Sequence, residues 1–273
     1  SHPVLCIAIY RHIRPSRAAF LRVKIAEIPA DKHSVTTASY PVAQTGRPHS
    51  TYRAFTMNEQ HYLTPLFEPR SVAIIGATER ENSLGNVLVR NMLEAGFKGK
   101  LFAVNPKYDQ VFGVPCYKSV EDIPQRLDLV VITTKADRVP AIVDACGRAG
   151  TKAAVVIPSG FADAGPRGKM LEKNTVENAR RHRIRLLGPN CLGVLRPELG
   201  LNASFARGGA IKGSIGLISQ SGALCSAILD WARPNNVGFS SVVSLGTSVD
   251  IDFGEVLEYM VSDSRTESIF LYV

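Results

Sequence analysis

Ser71-Val72-Ala73-Ile74-Ile75-Gly76-Ala77-Thr78-Glu79-Arg80-Glu81-Asn82-Ser83-Leu84-Gly85-Asn86 is the stretch that decides how this chain folds. Its first five residues form a short, continuous apolar run rich in β-branched side chains, which suits a strand buried on both faces. Gly76 ends the run, and the chain passes directly into a helix expected over about 84–95. Strand, glycine turn and helix in that order open a doubly wound α/β sheet. The first such turn is where phosphates are held, because glycine lets the backbone approach and the helix start presents unpaired N–H groups. The GxGxxG spacing is absent: Thr78 follows two residues after Gly76, and the next glycine is Gly85. A phosphate loop and a tight structural turn both fit this stretch on its own.

Working outward, the same rhythm repeats. Strands are expected at 71–75, 100–104, 128–132, 153–157 and 184–187, separated by helices at about 84–95, 119–122, 137–149 and 167–181. This predicts one Rossmann-like unit with a five-stranded parallel sheet. A second rhythm begins after Gly200, with strands at about 215–218, 240–245 and 267–273 and helices at 222–233 and 252–261. The chain stops within Ser268-Ile269-Phe270-Leu271-Tyr272-Val273, which reads as a buried strand; an incomplete α/β domain of a longer polypeptide is expected there. The expected division is an extension over 1–60, a first domain over 61–198 and the opening of a second over 199–273.

The 273 residues are 45% hydrophobic and 21% charged, a globular composition. The net charge of +8 is uneven: residues 1–56 hold eight Lys/Arg against two Asp/Glu, and the rest hold 24 against 22. The body of the protein is therefore nearly neutral, which argues against a nucleic-acid partner. Residues 1–56 lack sustained periodicity and are expected to be flexible, with Met57 as a candidate natural start. No apolar run approaches the roughly 20 residues of a membrane span, so a cytoplasmic protein without a membrane partner is expected. Five scattered cysteines (Cys6, Cys116, Cys146, Cys191, Cys225) lack CxxC spacing and are expected to be free and buried, with no metal site.

The end of the second strand bears on the ligand. It reads Val104-Asn105-Pro106-Lys107-Tyr108, where NAD-binding proteins usually place an acidic residue for the ribose hydroxyls. A lysine suits a phosphorylated ribose, as in NADP or the 3′-phosphate of coenzyme A, or is a solvated turn residue. Three more strand ends share this rim: Thr133-Thr134-Lys135-Ala136, Pro158-Ser159-Gly160-Phe161 and Gly188-Pro189-Asn190-Cys191-Leu192-Gly193. In the second unit, Ser219-Gln220-Ser221-Gly222 precedes a helix, which makes either an anion site or an ordinary N-cap. It is not the Gly-x-Ser-x-Gly elbow of a serine hydrolase. His182 lies among Arg180, Arg181 and Arg183 and reads as a solvated helix end. Asp250, Asp252, Glu255 and Glu258 read as partners of a helix dipole.

Taken together, Phe67-Glu68-Pro69-Arg70-Ser71-Val72-Ala73-Ile74-Ile75-Gly76-Ala77, Val104-Asn105-Pro106-Lys107-Tyr108, Leu187-Gly188-Pro189-Asn190-Cys191-Leu192-Gly193, Leu201-Asn202-Ala203-Ser204-Phe205 and Ile218-Ser219-Gln220-Ser221-Gly222-Ala223 resemble the NDP-forming acyl-CoA synthetase superfamily. Ala227-Ile228-Leu229-Asp230-Trp231-Ala232 and Gly238-Phe239-Ser240 look like its ADP-forming acetate-CoA ligase branch, which includes fusions to GNAT lysine acetyltransferases; the resemblance implies the CoA-binding portion of such a ligase-like protein, of the type fused to a GNAT domain. The resemblance covers about 62–273. It implies a CoA-binding domain followed by a flavodoxin-like domain of the succinyl-CoA synthetase type. CoA or acetyl-CoA would contact Gly76, Ala77, Thr78, Asn105, Pro106, Lys107, Thr134, Ser159 and Gly160, and phosphate would contact Ser219, Ser221 and Gly222. In such ligases an acid, CoA and a nucleoside triphosphate react through an acyl phosphate and a phosphohistidine. ATP or ADP would bind an ATP-grasp partner domain outside this chain, and the phosphorylated histidine would lie beyond Val273. Ala227 departs from the glutamate of the succinyl-CoA synthetases. A non-catalytic CoA-sensing module and an NADP-dependent oxidoreductase domain are the competing readings, and an oligomer is compatible with all of them.

Overall fold

The computed structural model describes residues 61–273, together with the backbone of two antiparallel strands, β1 (Arg22–Glu27) and β2 (Thr36–Pro41). A paired ribbon thus stands where no sustained strand pattern is expected; the alternation in Arg22-Val23-Lys24-Ile25 is too brief to register. The expected flexible character of residues 1–60 otherwise lies outside the described residues.

From Thr64 the chain runs through α1 (Thr64–Phe67), β3 (Ser71–Ile75), α2 (Leu84–Glu94), β4 (Lys100–Val104), β5 (Gln110–Val111), β6 (Val114–Tyr117), β7 (Leu129–Ile132), α3 (Val139–Arg148), β8 (Ala153–Val156), α4 (Pro166–His182) and β9 (Arg185–Leu187). The strands form one seven-stranded sheet in the order β5-β6-β4-β3-β7-β8-β9, parallel except for the β5–β6 hairpin. The five expected strands are its β4-β3-β7-β8-β9 core. The hairpin escapes sequence reading because its strands are two and four residues long. The expected helix at 119–122 is a single 3₁₀ turn, Val120–Asp122, closed by a capping box between Ser119 and Asp122.

Burial on both faces, as the apolar runs predict, follows the strand period of two. Val72, Ile74, Leu129, Val131 and Val155 join one cluster, and Ala73, Ile75, Val130, Ile132 and Val156 join another. The second cluster is covered by α3 and α4 through Val139, Val143, Cys146, Leu171 and Ala179. The first is covered by Leu88, Val89 and Met92 of α2 and by Leu66 and Phe67 of α1.

The second unit adds β10 (Gly193–Arg196), β11 (Leu201–Ser204), β12 (Lys212–Ser219), α5 (Gly222–Ala232), β13 (Phe239–Ser244), α6 (Phe253–Ser262) and β14 (Ser268–Tyr272), with the sheet order β11-β10-β13-β12-β14. β10 lies upstream of the expected boundary at 198, yet it pairs antiparallel with both β11 and β13. By sheet pairing β10 joins the second sheet. Neither β10 nor β11 was legible: each has four residues, and Leu201-Asn202-Ala203-Ser204 is half polar.

The two units share apolar packing. Val194, Leu201, Val243, Val256 and Met260 of the second belong to the same buried cluster as Val72, Ile74 and Val131 of the first. The loop after β13 lies along the loop after β9, with Thr247 N donating to Pro189 O at 2.9 Å and Ile251 N to Leu186 O at 3.1 Å. Here the acidic residues near α6 do more than meet a helix dipole. Asp252 and Glu255 form a capping box, while Asp250 and Glu255 pair with Arg185 of β9 at 3.0 and 2.8 Å. His182 is likewise no solvated end: it sits 2.8 Å from Asp144 of α3, and its ring fills the space over Gly147. Cys146, Cys191 and Cys225 are buried and free, and burial pushes each thiol up to about 12, so they stay protonated at neutral pH. Cys116 is free and partly exposed, and Cys6 lies outside the described residues. Among the described residues no helix is long and apolar enough to cross a membrane.

Candidate CoA site

Neighbouring strands β4 and β7 flank β3, so the chain departs from β3 in opposite directions and leaves a crevice at the carboxyl ends of the strands. Gly76 leaves β3 with φ +93°, a left-handed conformation, and a side chain there would meet Thr133 Oγ1 at 2.6 Å. Across the turn, Gly85 in the first turn of α2 packs so closely that a Cβ would overlap the Gly76 carbonyl. These two glycines bring the start of α2 directly against the turn. Ser83 caps α2, accepting from Asn86 N, and leaves the other first-turn N–H groups for an anion.

The loops after β3 and β4 are tied together. Asn105 Nδ2 donates to Ala77 O at 2.8 Å, Asn105 Oδ1 accepts from Lys107 N at 3.1 Å, and Thr78 Oγ1 lies 3.0 Å from the Tyr108 hydroxyl. Pro106 and Lys107 stay exposed at this rim, as a residue must to meet a ligand phosphate. Thr134 follows β7, and its side chain touches the space over Gly76. Its hydroxyl is shielded from solvent and has no hydrogen-bond partner among the described residues. A shielded, unsatisfied hydroxyl beside a glycine turn and a helix start fits a polar ligand that completes it. Ser159 and Gly160 follow β8, with Gly160 at φ +98° and open but for Ala136. The residues expected for CoA contact follow the carboxyl ends of the neighbouring strands β4, β3, β7 and β8. Sequence reasoning missed Gly85 and Tyr108. Gly85 carried a readable signal as the first glycine of a helix start; Tyr108 carried none, since its role rests on a partner 30 residues away.

The second predicted site sits on β12 and α5. Ser219 Oγ is fully buried, donating to Ser221 O at 3.1 Å and accepting from Ser221 N at 3.0 Å, so it shapes the turn from within. Ser221 is the N-cap of α5, its Oγ accepting from Leu224 N at 3.2 Å, and its own hydroxyl hydrogen remains to donate. Ser221 and Gly222 border a cleft of about 660 Å³ whose other walls include Ile157, Asn190, Leu192 and Phe205. Ile157 follows β8 of the first sheet, so the cleft runs from the rim of the crevice to the start of α5. Ser221→Ala is expected to cost about 1 kcal/mol through the lost cap, read as a lower denaturation midpoint in urea.

Two family models match this arrangement: CoA binding domain over residues 70–197 and Succinyl-CoA ligase like flavodoxin domain over 212–273. Acetate-CoA ligase [ADP-forming] I of Archaeoglobus fulgidus is 45% identical over 208 residues, 76% of this chain and 30% of the relative. Acetate-CoA ligase [ADP-forming] I subunit alpha of Pyrococcus furiosus is 40% identical over 217 residues, 77% of this chain and 46% of the relative. Among solved structures, dinucleotide-forming acetyl-coenzyme A synthetase 1 of Ca. Korarchaeum cryptofilum, in complex with phosphate and ADP, superposes with a TM-score of 0.72 at 39% identity, covering 75% of this chain and 44% of that one. Fold and site together define an α/β protein with a CoA-binding domain joined to a succinyl-CoA-ligase-type flavodoxin domain. The chain belongs to the NDP-forming acyl-CoA synthetase superfamily. It spans less than half the length of these relatives.

Proposed function

We propose that this chain is the part of an ADP-forming acetate-CoA ligase-like protein that binds CoA and acyl-CoA. The unsatisfied Thr134 hydroxyl, held beside the Gly76 turn and the start of α2, carries the reading. In it, N–H groups of the turn and of α2 meet the pyrophosphate, and Lys107 meets the 3′-phosphate at the exposed rim. The pantetheine arm follows the rim past Ser159 and Gly160 into the cleft. The N–H groups at the start of α5, with the Ser221 hydroxyl, hold a phosphoryl group there. The CoA thiol attacks the carbonyl carbon of an acyl phosphate: the C–S bond forms, the acyl C–O bond breaks, inorganic phosphate leaves into the α5 anion site, and the thiol proton passes to the departing phosphate. This chain's residues bind and orient the reactants. Phosphoryl transfer from nucleotide draws on an ATP-grasp partner such as the relatives' further length would supply.

Calorimetric titration of the 273-residue chain tests this. CoA and acetyl-CoA are expected to bind and NADP not to; absence of CoA binding at millimolar ligand would sink the reading. Lys107→Ala is expected to weaken CoA by about three- to tenfold, because an exposed charge pair is worth about 1 kcal/mol. The same change should leave dephospho-CoA, which lacks the 3′-phosphate, unaffected. Equal losses for both ligands would place the 3′-phosphate elsewhere.

A further inference from the structure

We propose that Phe205 is the specificity-determining wall that limits the size of the acyl group. This rests on the acyl-CoA reading above and adds to it the residue that selects among acyl groups.

The cleft has two chemical halves. Around Ser221 and Gly222 it is polar, with Asn190, Gln220 and Thr247 nearby, whereas Ile157, Leu192, Phe205 and Ala223 give an apolar lining. No lysine, arginine or histidine among the described residues borders it. A thioester whose phosphoryl partner lies at the α5 start must place its acyl tail against the apolar half. Of those four side chains Phe205 is the largest, and its segment is clamped on both sides.

That clamp is what makes a wall rather than a flap. Phe205 directly follows β11, and its N–H donates to Leu192 O at 3.3 Å. The carbonyls on either side of it, Ser204 O and Ala206 O, both accept from the amide of Asn91, at 2.7 and 2.9 Å. Ser204 Oγ accepts in turn from Ala206 N and donates to Asn202 Oδ1 at 2.6 Å. Asn91, Asn202 and Ser204 are all buried, so this network is shielded from competing water. The Phe205 ring packs against both the shared core and the cluster beneath α5, so one of its sides is held by the protein while the other borders the cleft. Asn91 lies on α2, the helix that begins at the Gly76 turn, so one rigid element carries both the nucleotide end of the crevice and the brace for the acyl wall. A fixed aromatic wall admits a short acyl chain and rejects a branched or aromatic one by overlap.

The test compares the affinities of acetyl-CoA and phenylacetyl-CoA in the wild-type chain, Phe205→Ala and Phe205→Leu, with CoA titrated into each as reference. In the wild type, phenylacetyl-CoA is expected to bind at least about tenfold more weakly than acetyl-CoA. Phe205→Ala should bring the ratio to within about threefold, and Phe205→Leu should fall between. The leucine variant keeps most of the packing, so the ordering of its ratio decides the matter even if the alanine variant does not fold. CoA binding with the same ratio in the wild type and the leucine variant would overturn the assignment while leaving the CoA reading intact. Failure of the wild type to bind CoA would remove that reading, and this inference with it.

Discussion

Gly85→Ala is expected to lower CoA affinity by more than about 30-fold and to destabilise the chain by about 2 kcal/mol, although helix propensity alone would favour alanine by roughly 1 kcal/mol. The reason is backbone contact. A Cβ at position 85 would overlap the Gly76 carbonyl oxygen, with the Gly76 carbonyl carbon at 2.9 Å and Ala77 Cα at 3.2 Å. None of these atoms is the end of a flexible side chain. Relief requires α2 to move off the turn, and α2 is held by Leu88, Val89 and Met92, all fully buried, and by the two Asn91 hydrogen bonds to the second unit. Either the turn is distorted or the helix start retreats, and both scatter the N–H groups that would meet the pyrophosphate. Calorimetry with CoA and urea denaturation of the same variant measure the two effects. Wild-type affinity in this variant would show that the ligand does not sit at the α2 start.

How much of this was legible in the sequence depends on how local the cause is. Val72 to Ile75 and Leu129 to Ile132 read as buried strands because burial on both faces leaves an uninterrupted apolar run. Topology places the strand-end segments that hold Gly76, Thr78, Lys107 and Thr134 at one rim; the family resemblance picked the individual residues out of those segments. The antiparallel strands β10 and β11 were hidden, since β10 pairs with β13 far downstream and β11 is held in the sheet only through β10. The same holds at the site. The residues that brace it act through partners distant in sequence: Asn91 reaches Ser204 across 113 positions and Thr78 reaches Tyr108 across 30. Ser219 and Ser221 look alike in sequence, yet one turns inward to hold the turn while the other caps α5 at the cleft. Spacing does not separate these two roles; only the direction of each hydroxyl does.

The largest loss of stability is expected at Asp263, through a charge that the sequence shows as an ordinary arginine. Arg196 of β10 is completely buried, with its guanidinium 2.9 Å from Asp263 and 3.6 Å from Glu68. Although Asp263 is within ion-pair distance, none of the guanidinium N–H groups meets hydrogen-bond geometry with a partner among the described residues; the attraction is coulombic, supplemented by the Phe67 and Tyr259 rings at 5.9 and 5.6 Å. Glu68 comes from the segment after α1 and also binds Arg265 and the Tyr259 hydroxyl, at 2.8 and 3.0 Å, so the cluster joins the first unit to α6 and the turn beyond it. Asp263→Asn keeps the side chain's shape and the acceptor for Arg265 N but removes the nearer counter-charge. A buried guanidinium left with Glu68 alone should cost about 3–5 kcal/mol, seen as a large fall in the urea midpoint. The double change Arg196→Met with Asp263→Asn should recover much of that loss, because no unpaired charge remains. The effect should also depend on pH. Burial by itself would raise the Glu68 carboxyl, but hydrogen bonds from Arg265 and Tyr259, with the charges of Arg265 and Arg196, outweigh it and hold it below its ordinary value of 4.5. A carboxyl held low contributes stability that is complete above that ordinary value and is lost as pH falls through the folded one. In Asp263→Asn, where Glu68 is the remaining counter-charge to Arg196, acid should therefore unfold the chain more steeply than in the wild type. Parallel acid titrations of the two, or a double change whose stability matches that of Asp263→Asn, would show that Arg196 is not the charge at stake.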